Sequence, residues 1–228
     1  MGSSLGQAKS IFYFDVCGQV NTEKTLELAV QRAQELGIKK LVVASETGLS
    51  ALKAVEALRN TGMDLVVVTS AAGTEVEKTV IGNLQIGIPD KAIWTKLEKS
   101  GAQIIRATDP FYNIGAALEQ HGTLTLATLV RLVLKIVSSG VAICVGATLM
   151  ATDSGKVRKG EEIVPVAGSW VGLDTAVVMQ AANSVDFFKR GAVQVKEIIC
   201  KPRNPAYSWP VNQKDWIGDL KLYKKFAK

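Results

Sequence analysis

Histidine and cysteine are scarce in this chain of 228 residues, and their scarcity excludes much chemistry. There is one histidine, His121, and the three cysteines, Cys17, Cys144 and Cys200, stand far apart. Zinc sites of the Cys/His kind draw four such ligands from closely spaced pairs, so no metal site is expected. An odd, scattered set of thiols is not a disulfide framework. It fits a reducing compartment, and a cytoplasmic location is expected. Proline is also scarce, six residues against twenty glycines, which suits short elements joined by tight turns. Long hydrophobic runs are missing. The stretch from 124 to 145 is interrupted by Arg131, Lys135 and Ser138-Ser139-Gly140, so no membrane span is expected. Residues 1–10 are small and mostly polar and read as a flexible lead-in, without the pattern of a secretory signal.

Charge of one sign is missing over most of the length. Residues 1–200 carry 20 Lys/Arg against 19 Asp/Glu, whereas residues 201–228 carry 7 against 2. The formal charge of +6 therefore sits almost wholly at the end of the chain. A near-neutral body offers no extended footprint for nucleic acid, and no nucleic-acid partner is expected. The terminal segment 204–228 also holds Tyr207, Trp209, Trp216, Tyr223 and Phe226. So many aromatics predict that it packs on the body or on a neighbouring subunit, and a homo-oligomer is expected.

What is present is enough apolar residue, 47% against 21% charged, to bury a core without staples. The order of segments reads strand, helix, strand, helix. Residues 11–14 form a strand, and Asn21-Thr22 cap a helix from about 23 to 36 that Gly37 closes. Residues 41–44 and 65–68 are short apolar runs of the kind found in buried parallel strands. A helix runs to about Arg59, and another over 90–99 leads to a strand at 103–105. A strongly apolar helix is predicted over 124–137, then a strand over 141–145 and a short helix over 147–152. Strands at 163–167, 176–179 and 192–199 complete the pattern. This alternation predicts an α/β domain over 11–203, with a mostly parallel sheet covered on both faces. Right-handed crossovers gather the loops at the carboxyl ends of the strands on one edge, the default ligand site of such sheets.

Three of those loops can do chemistry. Ser45-Glu46-Thr47-Gly48-Leu49-Ser50 lies between a buried strand and a helix. Its hydroxyls, Gly48 and the free amides of the helix start make a seat for an anion, with phosphate the natural guest. Ser45, Thr47, Gly48 and Ser50 are the candidate residues. Glu46 would repel an anion unless it points away or meets a hydroxyl or sugar of the ligand. The alternative is an ordinary Ser/Thr-rich turn capped by Thr47 or Ser50. Replacement of Gly48 or Ser50 by aspartate is expected to block the seat with the fold intact. Thr69 and Ser70 begin the equivalent loop after the next strand, where small residues through Gly73 leave space for a flat ligand. In the third loop Gly168 and Gly172 allow close backbone approach, Trp170 offers a ring, and Asp174 and Thr175 offer polar handles. A buried structural turn uses the same residues, so both readings stand for this loop. His121 reads as a surface or loop histidine, Cys17 lies just after the first strand, and no catalytic residue is assigned.

Several segments together resemble a known family. These are Phe12-Tyr13-Phe14, Asn21-Thr22-Glu23, Leu41-Val42-Val43-Ala44-Ser45 through Gly48 and Ala51, and Met150-Ala151-Thr152-Asp153-Ser154-Gly155. Ala167-Gly168, Gly172, Asp174-Thr175-Ala176 and Glu197-Ile198-Ile199-Cys200-Lys201-Pro202 belong to the same set. Over roughly residues 10–203 the chain resembles the stand-alone proteins similar to the C-terminal domain of pyruvate kinase. The resemblance implies a three-layer α/β/α sandwich and flavin mononucleotide (FMN) in the cleft. It also implies no pyruvate kinase activity, since the catalytic barrel of about 250 residues has no counterpart in this pattern. It implies that Ser45, Thr47, Gly48 and Ser50 seat a phosphate, with Gly168, Gly172, Asp174 and Thr175 near the rest of the ligand. The chain departs from the family at Thr108-Asp109, where a threonine-histidine step is usual. It departs again near Val145-Gly146, which lacks the usual carboxylate. The expected function is binding of a phosphorylated small molecule, FMN first. The alternatives are an oligomeric regulatory module sensing a sugar phosphate, or a lyase or hydrolase acting on a phosphorylated substrate.

Overall fold

The computed structural model describes residues 6–79, 82–112, 114–205 and 225–226. Its centre is β2 (Lys40–Ala44), hydrogen-bonded on one side to β3 (Asp64–Thr69) and on the other to β7 (Glu162–Ala167). Leu41, Val42 and Val43 are wholly buried, as a strand covered on both faces requires. β6 (Gln103–Arg106) closes one edge, and β8 (Thr175–Gln180), β9 (Gln194–Pro202) and β1 (Phe12–Phe14) extend the other. The order across the seven-stranded sheet is β1-β9-β8-β7-β2-β3-β6. Four of its six pairings are parallel, while β8 runs antiparallel to both β7 and β9. The sheet is therefore mixed and largely parallel.

Helices cover both faces. On one lie α1 (Thr22–Leu36), α2 (Leu49–Ala57) and α3 (Lys91–Lys99). Leu26, Ala29 and Ala33 of α1, Ala51 and Ala54 of α2 and Leu97 of α3 share one buried cluster with Leu41, Val43, Val67 and Val166. The spacing of the α1 residues puts them on one stripe, and Gly37 ends the helix in the left-handed conformation at φ 69°. Arg32 on the outer side of α1 makes a two-pronged pair with Glu197 of β9, both contacts at 2.8 Å. The opposite face is covered by α6 (Ser139–Asp153), preceded by α4 (Ile114–Gln120) and α5 (Leu126–Val137). Val145, Leu149 and Ala151 of α6 pack on Val42, Val66, Ile163 and Met179.

α6 corrects the expectation of a strand over 141–145 followed by a short helix. The whole segment is one helix of 15 residues, of which 13 are buried. A helix buried all round has no polar face, so it lacks the 3.6-residue period that would have revealed it. Its start is set by Ser138, whose hydroxyl accepts from the Val141 amide at 2.9 Å. A hairpin of β4 (Glu75–Thr79) and β5 (Gly82–Gln85), with no counterpart in the strand pattern expected from the sequence, stands apart from the main sheet. The last strand begins at Gln194 rather than 192 and continues to Pro202.

Of the terminal extension, residues 206–224, 227 and 228 lie outside the described residues. Phe226 is 4% exposed and joins the cluster of Leu84, Ile86, Ile93 and Leu97. Its carbonyl accepts from the Gln85 amide at 3.0 Å, and Lys225 pairs with Asp90 at 3.0 Å. No helix among the described residues is long and apolar enough to cross a membrane.

Candidate functional site

β2 delivers residues 45–48 to the carboxyl edge of the sheet, beside the ends of β3 and β7. Ser45 still donates its amide to the Val68 carbonyl at 3.0 Å, so the loop leaves the sheet only after it. Its hydroxyl accepts from the Ala51 amide at 3.3 Å, inside the first turn of α2. That helix begins at Gly48, in the left-handed conformation at φ 84°, and no side chain of the cap residue closes it. Ser45, Thr47 and Gly48 are buried and Ser50 is half-buried, so the four residues collect around a helix start with positive dipole character.

Glu46 does not face this helix start. One carboxylate oxygen accepts from the Thr69 hydroxyl at 3.0 Å and the Ser70 amide at 3.1 Å; the other accepts from the Ser70 hydroxyl at 2.8 Å. Thr69 and Ser70 therefore hold Glu46, and Glu46 ties the first two loops together. These contacts fix the carboxylate toward the loop after β3 with donors that all belong to the protein.

A third segment clamps this pair from the side. The Ile88 amide donates to the Glu46 carbonyl at 2.7 Å, and the Ile88 carbonyl accepts from Arg106 at 3.2 Å. Ile88 has φ 52°, a conformation that β-branched residues avoid, so its place is imposed by its surroundings. Ile88 and Ile93 press on Gly48, and a Cβ there would run into the Ile93 methyl. Gly48→Ala is accordingly expected to lower thermal stability, by about 2 kcal/mol or more, through both the collision and the positive φ. Unfolding in urea would measure it. Gly48 thus belongs to the fold as well as to the loop, which corrects the expectation that its replacement leaves the fold intact.

Gly168, Gly172, Asp174 and Thr175 form a separate knot. A side chain on Gly168 would strike the Gly172 carbonyl, and one on Gly172 would strike Gln19 and Thr22. Asp174 is wholly buried and accepts from the Gly18 amide at 2.9 Å, the Ser169 amide at 3.1 Å and the Thr175 hydroxyl at 2.9 Å. Burial pushes its carboxyl above the usual aspartate range, against the pull of those donors. Thr22 accepts from the Leu173 amide at 3.0 Å, and Thr175 fills the space left by Gly140 at the start of α6. The knot therefore fastens the loop after β7 to the loop after β1.

The remaining polar candidates scatter. His121 is exposed in the turn after α4. Cys17 is half-buried and its thiol donates to the Asn204 carbonyl at 3.4 Å. Cys144 and Cys200 are core thiols; burial pushes Cys144 up and Cys200 to about 12. Asp153 ends α6 and accepts from Asn183 and the Ser184 amide. Among the described residues no three His, Cys, Asp or Glu side chains are grouped to hold a metal ion.

Two features went unseen in the sequence. Asp109 lies against Gly146, where any side chain would displace it, so a carboxylate from the loop after β6 fills space beside α6. Burial raises its pKa, opposed by the Phe111 amide at 2.7 Å and by Arg131, while the Glu46 charge adds to the rise. The second is a cavity of about 360 Å³ lined by Gly73, Gly87, Ile88, Lys91, Trp94 and Arg106, among others. The Arg106 guanidinium stacks 4.2 Å from the centre of the Trp94 ring there. No local pattern joins Trp94 to Arg106, since they stand on α3 and β6 and meet only in the folded chain. A wider groove of about 650 Å³ separates α1 from α2, bordered by Glu23, Glu27, Lys53 and Glu56. None of the ten candidate residues lines either space.

A mixed, largely parallel sheet between two helical layers defines a three-layer α/β sandwich. Residues 23–179 match the family of the pyruvate kinase alpha/beta domain, and the chain belongs to that family.

Proposed function

We propose that the protein binds a phosphorylated small molecule in the cytoplasm, with its phosphate at the start of α2. The observation that carries this is the α2 N-terminus itself. The Ser45 hydroxyl accepts from the Ala51 amide in its first turn, Thr47 and Ser50 bring two more hydroxyl groups to the same six-residue loop, and Glu46 is turned onto Thr69 and Ser70. Converging hydroxyls and amides at the positive end of a helix suit a phosphate.

FMN is the first candidate, and its two ends fare differently. The phosphate end fits residues 45–50. The ring end finds no slot at Gly168, Gly172 and Asp174, because Gln19, Thr22 and the Gly18 amide already occupy that side. This favours a second reading, in which a compact ligand such as a sugar phosphate is sensed and the protein acts as a regulatory module.

Ser50→Asp tests the seat. A carboxylate in the first turn of α2 favours the free helix, so stability should hold or rise slightly, while a phosphate should be repelled. Titration calorimetry with FMN and with a sugar bisphosphate should show affinity falling at least about 30-fold for whichever binds, or roughly 2 kcal/mol. Unchanged affinity would remove the seat. The protein purified without added cofactor also has a colour to report. Flavin bands near about 370 and 450 nm with a matching released mass favour FMN; a colourless protein releasing a sugar phosphate favours the second reading.

A further inference from the structure

α5 is built inside out. Six of its residues are exposed, and all are aliphatic: Leu126 80%, Leu129 49%, Leu132 43%, Val133 55%, Ile136 70% and Val137 39%. Its two cations face the other way. Arg131 pairs with Glu119 of α4 at 3.2 Å and lies 4.9 Å from the centre of the Tyr112 ring. Lys135 is half-buried, and that burial lowers its pKa. A surface helix ordinarily turns its apolar stripe to the core and its charges to water. Here the helix spends charge on its inner side and leaves its outer side without any.

We infer that the outer face of α5 is the contact surface for a second copy of this chain, with the two α5 helices packed antiparallel about a twofold axis. Three observations select that occupant. Leu126, Leu129, Val133 and Ile136 are spaced three, four and three residues apart, the spacing of a seam that meets another helix. The face has no charged residue, so a self-contact brings no like charges together. Six exposed aliphatic side chains on one 12-residue helix, with Ile114 and Leu118 of α4 and Ile143 of α6 exposed on the helices before and after it, make an apolar concentration that marks a protein contact rather than the scattered single exposures of a monomer surface. A lipid surface is the weaker match, because helices that lie on membranes rim their apolar face with Lys and Arg, whereas Arg131 and Lys135 are turned inward. The inference is independent of the proposed phosphate seat.

Light scattering on the full chain after size exclusion should give twice the 24.4 kDa of the monomer. Leu129→Lys combined with Val133→Lys should return it to the monomer mass, with a dissociation constant raised at least about 100-fold. Circular dichroism establishes that the variant is folded. Leu129→Cys combined with Val133→Cys, made with Cys17→Ser, gives a second reading on the seam itself. Antiparallel packing sets position 129 of one copy beside position 133 of the other, and mild oxidation should link the dimer. A wild-type monomer at micromolar concentration would overturn the inference. So would a folded lysine variant that stays dimeric, a dimer that does not link through positions 129 and 133, or a monomer that floats with phosphatidylcholine vesicles.

Discussion

Phe226→Ala is expected to destabilise the protein by about 3 kcal/mol or more, lowering the melting temperature by about 6–12 °C. The side chain is 4% exposed and belongs to the same cluster as Leu84, Ile86, Ile93 and Leu97. Truncation removes a ring from a packed interior and leaves a cavity that the surroundings only partly fill. The adjacent contacts separate packing from charge. Lys225→Ala removes an ion pair with Asp90 at the surface and should change little, because exposed pairs are weakened by solvent and salt. A thermal melt of both variants checks the contrast. Equal melting temperatures for Phe226→Ala and wild type would mean that residue 226 contributes nothing to the core. The effect should be felt at α3 and the β4–β5 hairpin, since the Phe226 carbonyl accepts from Gln85.

The second large effect is at Asp174. Asp174→Ala strands the Gly18 and Ser169 amides and the Thr175 hydroxyl in a buried site, and should cost about 3 kcal/mol or more. Asp174→Asn keeps an oxygen for the two amides and should cost much less. The two variants also differ in their response to pH. Burial raises the folded-state pKa of Asp174, so between the ordinary aspartate value and the raised one the folded protein holds the proton more tightly than the unfolded chain. Stability from this group therefore falls as pH rises through that window and is level above it. Asparagine cannot ionise. Asp174→Asn should gain on wild type as pH climbs from about 4 and then hold a constant difference. Asp109 is also buried with a raised pKa and contributes a slope of the same sign to both proteins, so it cancels in the comparison. Urea midpoints over a pH series give the measurement, and parallel profiles would remove ionised Asp174 from the account.

The sequence marks Asp174 as a polar residue in a glycine-bordered loop, and the structure buries it among donors of its own fold. Its donors come from Gly18 and Ser169, and the Gly18 amide is 156 residues away in sequence. The same division runs through the first loop. Ser45, Thr47, Gly48 and Ser50 are adjacent residues on a strand-to-helix turn, so their collection at one helix start was legible. The grip of Thr69 and Ser70 on Glu46 was not, because it depends on β2 and β3 lying side by side.

The strands and amphipathic helices were written locally. Leu41-Val42-Val43 is apolar on both faces because both faces are covered, and the stripe Leu26, Ala29, Val30, Ala33 repeats with the helical turn. These periods determined the α/β class and the edge on which ligands are expected. α6 carries no such period, since β-sheet on one side and α5 on the other remove water from nearly every position. The antiparallel course of β8, the packing of the Gly168–Gly172 carbonyl contact on α1, the strained Ile88 and the Trp94–Arg106 stack were decided by tertiary structure alone. Each is a meeting of segments distant in sequence, and propensity and periodicity describe only what a residue does with its near neighbours.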